Sequence, residues 1–175
     1  MKKTTLAFSF AAALLLTSCS VFNKLSDVEY NNKVVAGINS ISTVIEETAT
    51  LYNDTVPNVV NETDTVDTTA MQSKYTESMD ALKDLDGLLT IEGRDIEQQN
   101  AVRTGLQTYQ TAADQYLQTY SDMLTYYSGA EYQQDVSKVK SIDENLHTGY
   151  TTFIQANNGL VDTLDSFVQS SDTNQ

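Results

Sequence analysis

Residues 102–127 read VRTGLQTYQTAADQYLQTYSDMLTYY. Within them Val102, Leu106, Tyr109, Ala113, Tyr116, Tyr120, Met123 and Tyr127 alternate steps of four and three, so nearly four heptads put one stripe on one helix face. Such a stripe needs partner helices to cover it. Working outward, Val34, Ile38, Ile41, Ile45, Thr48 and Tyr52 form a first stripe, and Met71, Tyr75, Ser78, Leu82, Leu85 and Leu89 a second. The last runs through Val136, Val139, Asp143, Leu146, Tyr150, Phe153, Asn157, Leu160, Leu164 and Phe167, widened by Ile142, Ile154, Val161 and Val168. No period-2 apolar run competes with these patterns. The expectation is an all-α fold: an antiparallel four-helix bundle of long amphipathic helices, each of roughly 25 to 40 residues and ~40–55 Å.

Boundary residues agree with this division. Ser26 and Glu29 have capping-box spacing, and Leu25 and Tyr30 take the flanking staple positions. The Asn-, Asp- and Thr-rich stretch around Pro57 ends the first helix, and the carboxylates from Asp64 to Asp67 favour the start of the second. Thr90 to Arg94, with Gly93, marks the break before helix three. Ser128 and Glu131 repeat the capping-box spacing, which predicts a tight reversal through Gly129 into helix four.

The chain has 175 residues with 10 basic and 24 acidic side chains, a formal charge of -14. That excess of acid argues against nucleic acid as a partner, since phosphate binding needs clustered Lys and Arg. Its single Cys excludes a disulfide scaffold.

The N-terminus carries an address. Lys2 and Lys3 precede an apolar run from Leu6 to Leu16, the length of a signal-peptide core and short of the ~20 residues that span a bilayer. Leu16-Thr17-Ser18-Cys19 follows it and resembles the lipobox of bacterial lipoproteins. The resemblance implies cleavage before Cys19, recognised through Leu16, Thr17 and Ser18, and a diacylglycerol thioether on Cys19, often with a third, amide-linked acyl chain such as palmitate. Two or more chains anchor stably where one is marginal. Removing residues 1–18 takes away two Lys and no acid, so the formal -14 becomes -16 over the remaining 157 residues. Ser20 after the lipidated Cys resembles the default for outer-membrane delivery in a Gram-negative host; otherwise the cell surface is expected. The expected organisation is a signal peptide at 1–18, lipidated Cys and tether at 19–25, the bundle at 26–170 and a flexible tail at 171–175.

Tyr126-Tyr127-Ser128-Gly129-Ala130-Glu131-Tyr132, Gln134-Asp135, Leu146-His147, Phe153 and Ala156 resemble the last helical hairpin of YiiG-type bacterial lipoproteins, over Tyr126 to Phe167. Asn39 to Tyr52, ending in Leu51-Tyr52-Asn53, looks like their first helix. The resemblance implies an exported, lipid-anchored, helical protein of unknown function, and it carries over no catalytic residue.

Chemical motifs are sparse. Glu144-Asn145-Leu146-His147 is one Glu-x-x-His, whereas a di-iron bundle needs two with two further Glu, and the chain has one His. Asp84-Leu85-Asp86-Gly87 imitates the middle of an EF-hand loop, but Leu82 and Gly93 occupy its first and last ligand positions. No P-loop or nucleophile elbow occurs. No catalytic residue, metal or cofactor is expected. The reading is a non-enzymatic, membrane-anchored interaction module of the envelope, its protein partner unknown. The alternative is a small-molecule or cation-binding protein using a Tyr-lined seam at Tyr116, Tyr120, Asp143, Tyr150 and Asn157, where the two polar stripe residues must find partners.

Overall fold

The computed structural model describes residues 24–56, 65–93, 96–129 and 135–172. The segment expected to be a signal peptide, Cys19, Pro57, Glu131 and Tyr132 lie outside them. The described residues form an all-α four-helix bundle.

Helix α1 spans Asp27–Thr55 and starts as its sequence demands. Ser26 Oγ accepts the Glu29 N–H while the Glu29 carboxylate accepts the Ser26 N–H at 2.9 Å. It stops two residues short of Pro57, which has no N–H to extend the ladder. Helix α2, Thr69–Lys83, opens where Asp67 Oδ1 accepts the Thr69 N–H at 2.9 Å.

The second helix is shorter than expected and divided. Asp84 separates α2 from the five-residue α3, Leu85–Leu89, because the bonds tighten there to the third residue back: Asp84 N–H to Ala81 O and Gly87 N–H to Asp84 O, both 3.1 Å. The stripe survives the break, with Leu82 and Leu85 both buried.

Helix α4, Ile96–Ser128, carries the stripe of residues 102–127, and all eight of its stripe residues are buried. Ser128 closes α4 and does not open the next helix: its hydroxyl donates to Leu124 O at 2.6 Å. Among the described residues the next start is at Asp135, whose carboxylate accepts the Ser137 N–H at 3.0 Å ahead of a 3₁₀ turn, Val136–Lys138, and helix α5, Val139–Asp172. An Asp two residues before the receiving N–H closes an Asx turn, a competent helix start without a Ser.

Cross-helix pairs fix the topology. Ser78 on α2 bonds Val44 O on α1, and Lys74 pairs with Glu47 at 2.6 Å. Tyr109 and Tyr116 on α4 meet Phe153 and Tyr150 on α5 at 5.4 and 5.5 Å between ring centroids. Tyr30 meets Phe167, and Tyr52 meets Asp143, across α1 and α5. In each pair the residue number rises on one helix as it falls on the other, so neighbours run antiparallel. Helices α1 and α4 sit diagonally across the core and run parallel, since Ser42 faces Tyr109 and Thr48 faces Tyr116. Val161 departs from the expected stripe; it is 42% exposed, because it falls on the outer flank of α5.

The bundle has distinct ends. At one, the Leu25 N–H bonds Glu92 O at 3.1 Å, so the segment preceding α1 is stitched to the α3–α4 connection. Gly93 is required there: its N–H donates to Gln99 Oε1 at 3.0 Å, and a Cβ would collide with the same amide. The other end holds Tyr52 of α1 and Asp143 of α5. Tyr52 is 25 residues past Asp27, about 37 Å along α1 at ~1.5 Å per residue. No helix among the described residues is long and apolar enough to cross a membrane.

Candidate functional site

A tyrosine ladder climbs α4, and each rung is satisfied differently. Tyr116 is 1% exposed, and its hydroxyl lies 2.8 Å from Thr48 Oγ1. Thr48 spends its one proton on Ile45 O at 2.6 Å, so Tyr116 must donate to Thr48. One turn pair away, Tyr109 lies 2.9 Å from Ser42 Oγ, and Ser42 donates to Asn157 Oδ1 at 3.3 Å. By the same proton arithmetic Tyr109 donates to Ser42, which makes a three-residue relay from α4 through α1 to α5. Asn157 thus has its partner inside the core. Tyr120, at 0% exposure, has no hydrogen-bond partner for its hydroxyl among the described residues; its ring packs against Tyr116 and stacks on Tyr75 with centroids 6.3 Å apart.

Asp143 meets a different environment. The Tyr52 hydroxyl donates to Asp143 Oδ1 at 3.2 Å, yet Asp143 itself is exposed. Beside this bond, between α1 and α5, opens a cavity of about 90 Å³ bordered by Tyr52, Asn53, Tyr116, Asp143, His147 and Tyr150, with apolar surface from Ala49 and Leu146. Three of the five residues expected to share a seam, Tyr116, Asp143 and Tyr150, come together here. Tyr120 and Asn157 do not. Tyr120 points toward α2, and Asn157 lies more than three helical turns along α5 from Asp143, engaged with Ser42. Tyr52, Asn53 and His147 join the cavity without having been singled out for it.

The phenols are held neutral. Burial pushes Tyr109 up to about 12, and the negative charge of Glu46 adds to the shift. Burial likewise raises Tyr116 and Tyr120. Tyr52 rises through burial first, then through the neighbouring Tyr127 and Asp143. Tyr150 rises through burial and the negative charge of Glu46. Near neutral pH these groups therefore serve as hydrogen-bonding phenols and aromatic surface, and not as tyrosinate bases.

A wider groove of about 330 Å³ runs between α4 and α5, past Gln115, Thr119, Asp122, Asn145, Thr148 and Thr152. Its Thr hydroxyls are spent on their own helices: Thr119 on Gln115 O, Thr148 on Glu144 O and Thr152 on Thr148 O. With those donors engaged, the groove offers a ligand less than its size suggests.

Glu144 and His147 are both exposed, and Glu144 pairs with Lys140 at 3.7 Å. Among the described residues no three His, Cys, Asp or Glu side chains converge as a metal site. Compared with known proteins, the chain matches no family model, no curated protein and no solved structure.

Proposed function

We propose that this chain is a lipid-anchored lipoprotein of the bacterial envelope, in which the helical bundle is a non-enzymatic binding or interaction module held against the membrane at one end. The motif ending in Cys19 carries the anchor, and one observation carries the orientation. Leu25, six residues after Cys19, is tied by its N–H to Glu92 O at the end where α1 begins. Six residues reach at most ~20 Å, so a lipid on Cys19 would keep that end close to the bilayer and turn the Tyr52–Asp143 end outward. The lipobox-like Leu16-Thr17-Ser18-Cys19 and the likeness to YiiG-type lipoproteins support the same assignment. Ser20 favours the outer membrane in a Gram-negative host and the cell surface otherwise.

Cys19→Ala tests it. The variant should lose labelling by a fatty-acid analogue and leave the membrane fraction. Retained labelling and retained sedimentation with membranes sink the anchor and with it the membrane-facing orientation. In-membrane crosslinking through the outer end should recover a protein partner if the module acts by interaction. A second reading, small-molecule or cation binding, is favoured by the cavity that Tyr52, Asp143 and Tyr150 enclose at the outer end.

A further inference from the structure

We propose that the cavity between α1 and α5 beside Asp143 is a recognition site for a primary ammonium group on a short aliphatic stem. The inference rests on the second reading above, that the seam binds a small ligand, and gives that ligand its chemistry.

Charge sets the sign. Asp143 has no Lys or Arg paired with it among the described residues, and the nearest cation along α5, Lys140, is turned to Glu144. Glu46 adds negative potential where Tyr150 lines the cavity. An anionic ligand would meet these carboxylates with no Lys or Arg among the described residues to compensate them, whereas a cation is drawn in.

Hydrogen-bond capacity selects the kind of cation. The Tyr52 hydroxyl occupies only Oδ1 of Asp143, which leaves Oδ2 to a ligand, and the Asn53 side chain borders the same space. An –NH₃⁺ group carries three donors and no acceptor, which matches the free carboxylate oxygen of Asp143 and an amide oxygen beside it. A quaternary ammonium has no N–H to offer them. A metal ion needs more ligands than one carboxylate and one His supply.

Shape and surface select the stem. Tyr116 and Tyr150, 5.5 Å apart between centroids, present aromatic rings to the cavity, and Ala49 and Leu146 present aliphatic surface. Rings near a cation add attraction beyond the ion pair. The space is small, about 90 Å³, which suits a short-stemmed amine. A free alkylamine and the butylammonium end of a Lys side chain share this chemistry.

The experiment is isothermal titration of the full chain in detergent, with n-butylammonium chloride as probe and tyrosine fluorescence as a second signal, since the chain has ten Tyr and no Trp. Saturable butylammonium binding that Asp143→Asn weakens about tenfold or more, the loss expected for one charge-assisted hydrogen bond, supports the site. Tetramethylammonium should bind at least about tenfold more weakly than butylammonium. Tyr52→Phe keeps the ring and removes the phenol that holds Asp143 Oδ1, so it should also weaken binding, and circular dichroism should show both variants folded because Asp143 is exposed and the buried ring of residue 52 is retained. A blocked Gly-Lys-Gly peptide that binds as tightly as butylammonium assigns the site to a protein side chain; exclusion of the peptide with butylammonium retained assigns it to a free amine. Binding of 1-butanol as tight as butylammonium, unchanged in Asp143→Asn, overturns the ammonium assignment while leaving a small-ligand seam standing. No response to either probe overturns both.

Discussion

The two polar residues on the α5 stripe meet opposite fates, and the contrast explains how one bundle combines a closed core with an open end. Asn157 is neutral and half-buried, and its Oδ1 accepts the end of the relay that runs from Tyr109 through Ser42. Asp143 carries a charge whose burial would cost several kcal/mol unless fully paired. It receives one phenol, from Tyr52, and remains exposed beside a cavity. A neutral amide can be packed in; a carboxylate keeps its end of the seam from closing.

The largest test breaks the closed side. Tyr109→Ala removes a fully buried ring packed on Phe153 and should destabilise the bundle by about 3–5 kcal/mol, read by chemical denaturation. Alkaline titration probes the same ring without mutation. Burial raises it from the ordinary phenol value of 10.0 to about 12, so the protonated phenol stabilises the fold fully below pH 10, and that contribution is lost as pH rises through 12. Two units correspond to about 3 kcal/mol at most for this one residue, and melting temperature should hold level to about pH 10 and then fall.

Ser42→Ala leaves both Tyr109 and Asn157 short of a partner in the core and should cost about 1–3 kcal/mol. Asp143→Asn, on the open side, should change stability by less than about 0.5 kcal/mol, since the site is exposed and an amide can still accept from Tyr52. The smallest effect separates satisfied rungs from the unsatisfied one. Tyr120→Phe removes a buried hydroxyl that has no partner among the described residues, so it should be neutral or slightly stabilising. A loss there as large as that of Ser42→Ala would break the comparison.

Much of the fold was legible because its period was. The eight residues chosen from 102–127 by alternating steps are all buried, as are all six of the α1 stripe. What the alternation missed on α4 is Ala112, Leu117, Leu124 and Tyr126, which are buried too. Helix α4 touches α2 on one side and α5 on the other, so its covered arc is wider than one seam. The signal was present as doublets, Ala112-Ala113, Tyr116-Leu117, Met123-Leu124 and Tyr126-Tyr127, each adding a residue beside the stripe. The break at Asp84 left no such mark, because Leu82 and Leu85 keep helical spacing through the tightened turn. Gln99, 1% exposed, was invisible for another reason: its burial follows from Gly93, a contact between the α3–α4 connection and the first turn of α4.

At the candidate site, the need of Asp143 and Asn157 for partners could be read from their places on an apolar stripe, but the partners could not. Tyr52 and Ser42 lie on α1, about ninety to one hundred and fifteen residues away in the chain, and only the antiparallel register brings them level. Tyr120 was grouped with Tyr116 by spacing alone. A step of four residues turns a side chain ~40° around the helix, enough to send it to Tyr75 on α2 instead of the α1–α5 seam.

The stitch between Leu25 and Glu92 also decides how the bundle bears load. A pull on the chain from its N-terminal side reaches that hydrogen bond before it reaches α1, and the force passes to the α3–α4 connection, where Gly93 and Gln99 lock the backbone. The pulled strand is thus backed by a connection between two other helices, which opposes peeling of α1 from its N-terminus. That contact adds one backbone hydrogen bond, roughly 1 kcal/mol, to the resistance of the first turn against unzipping.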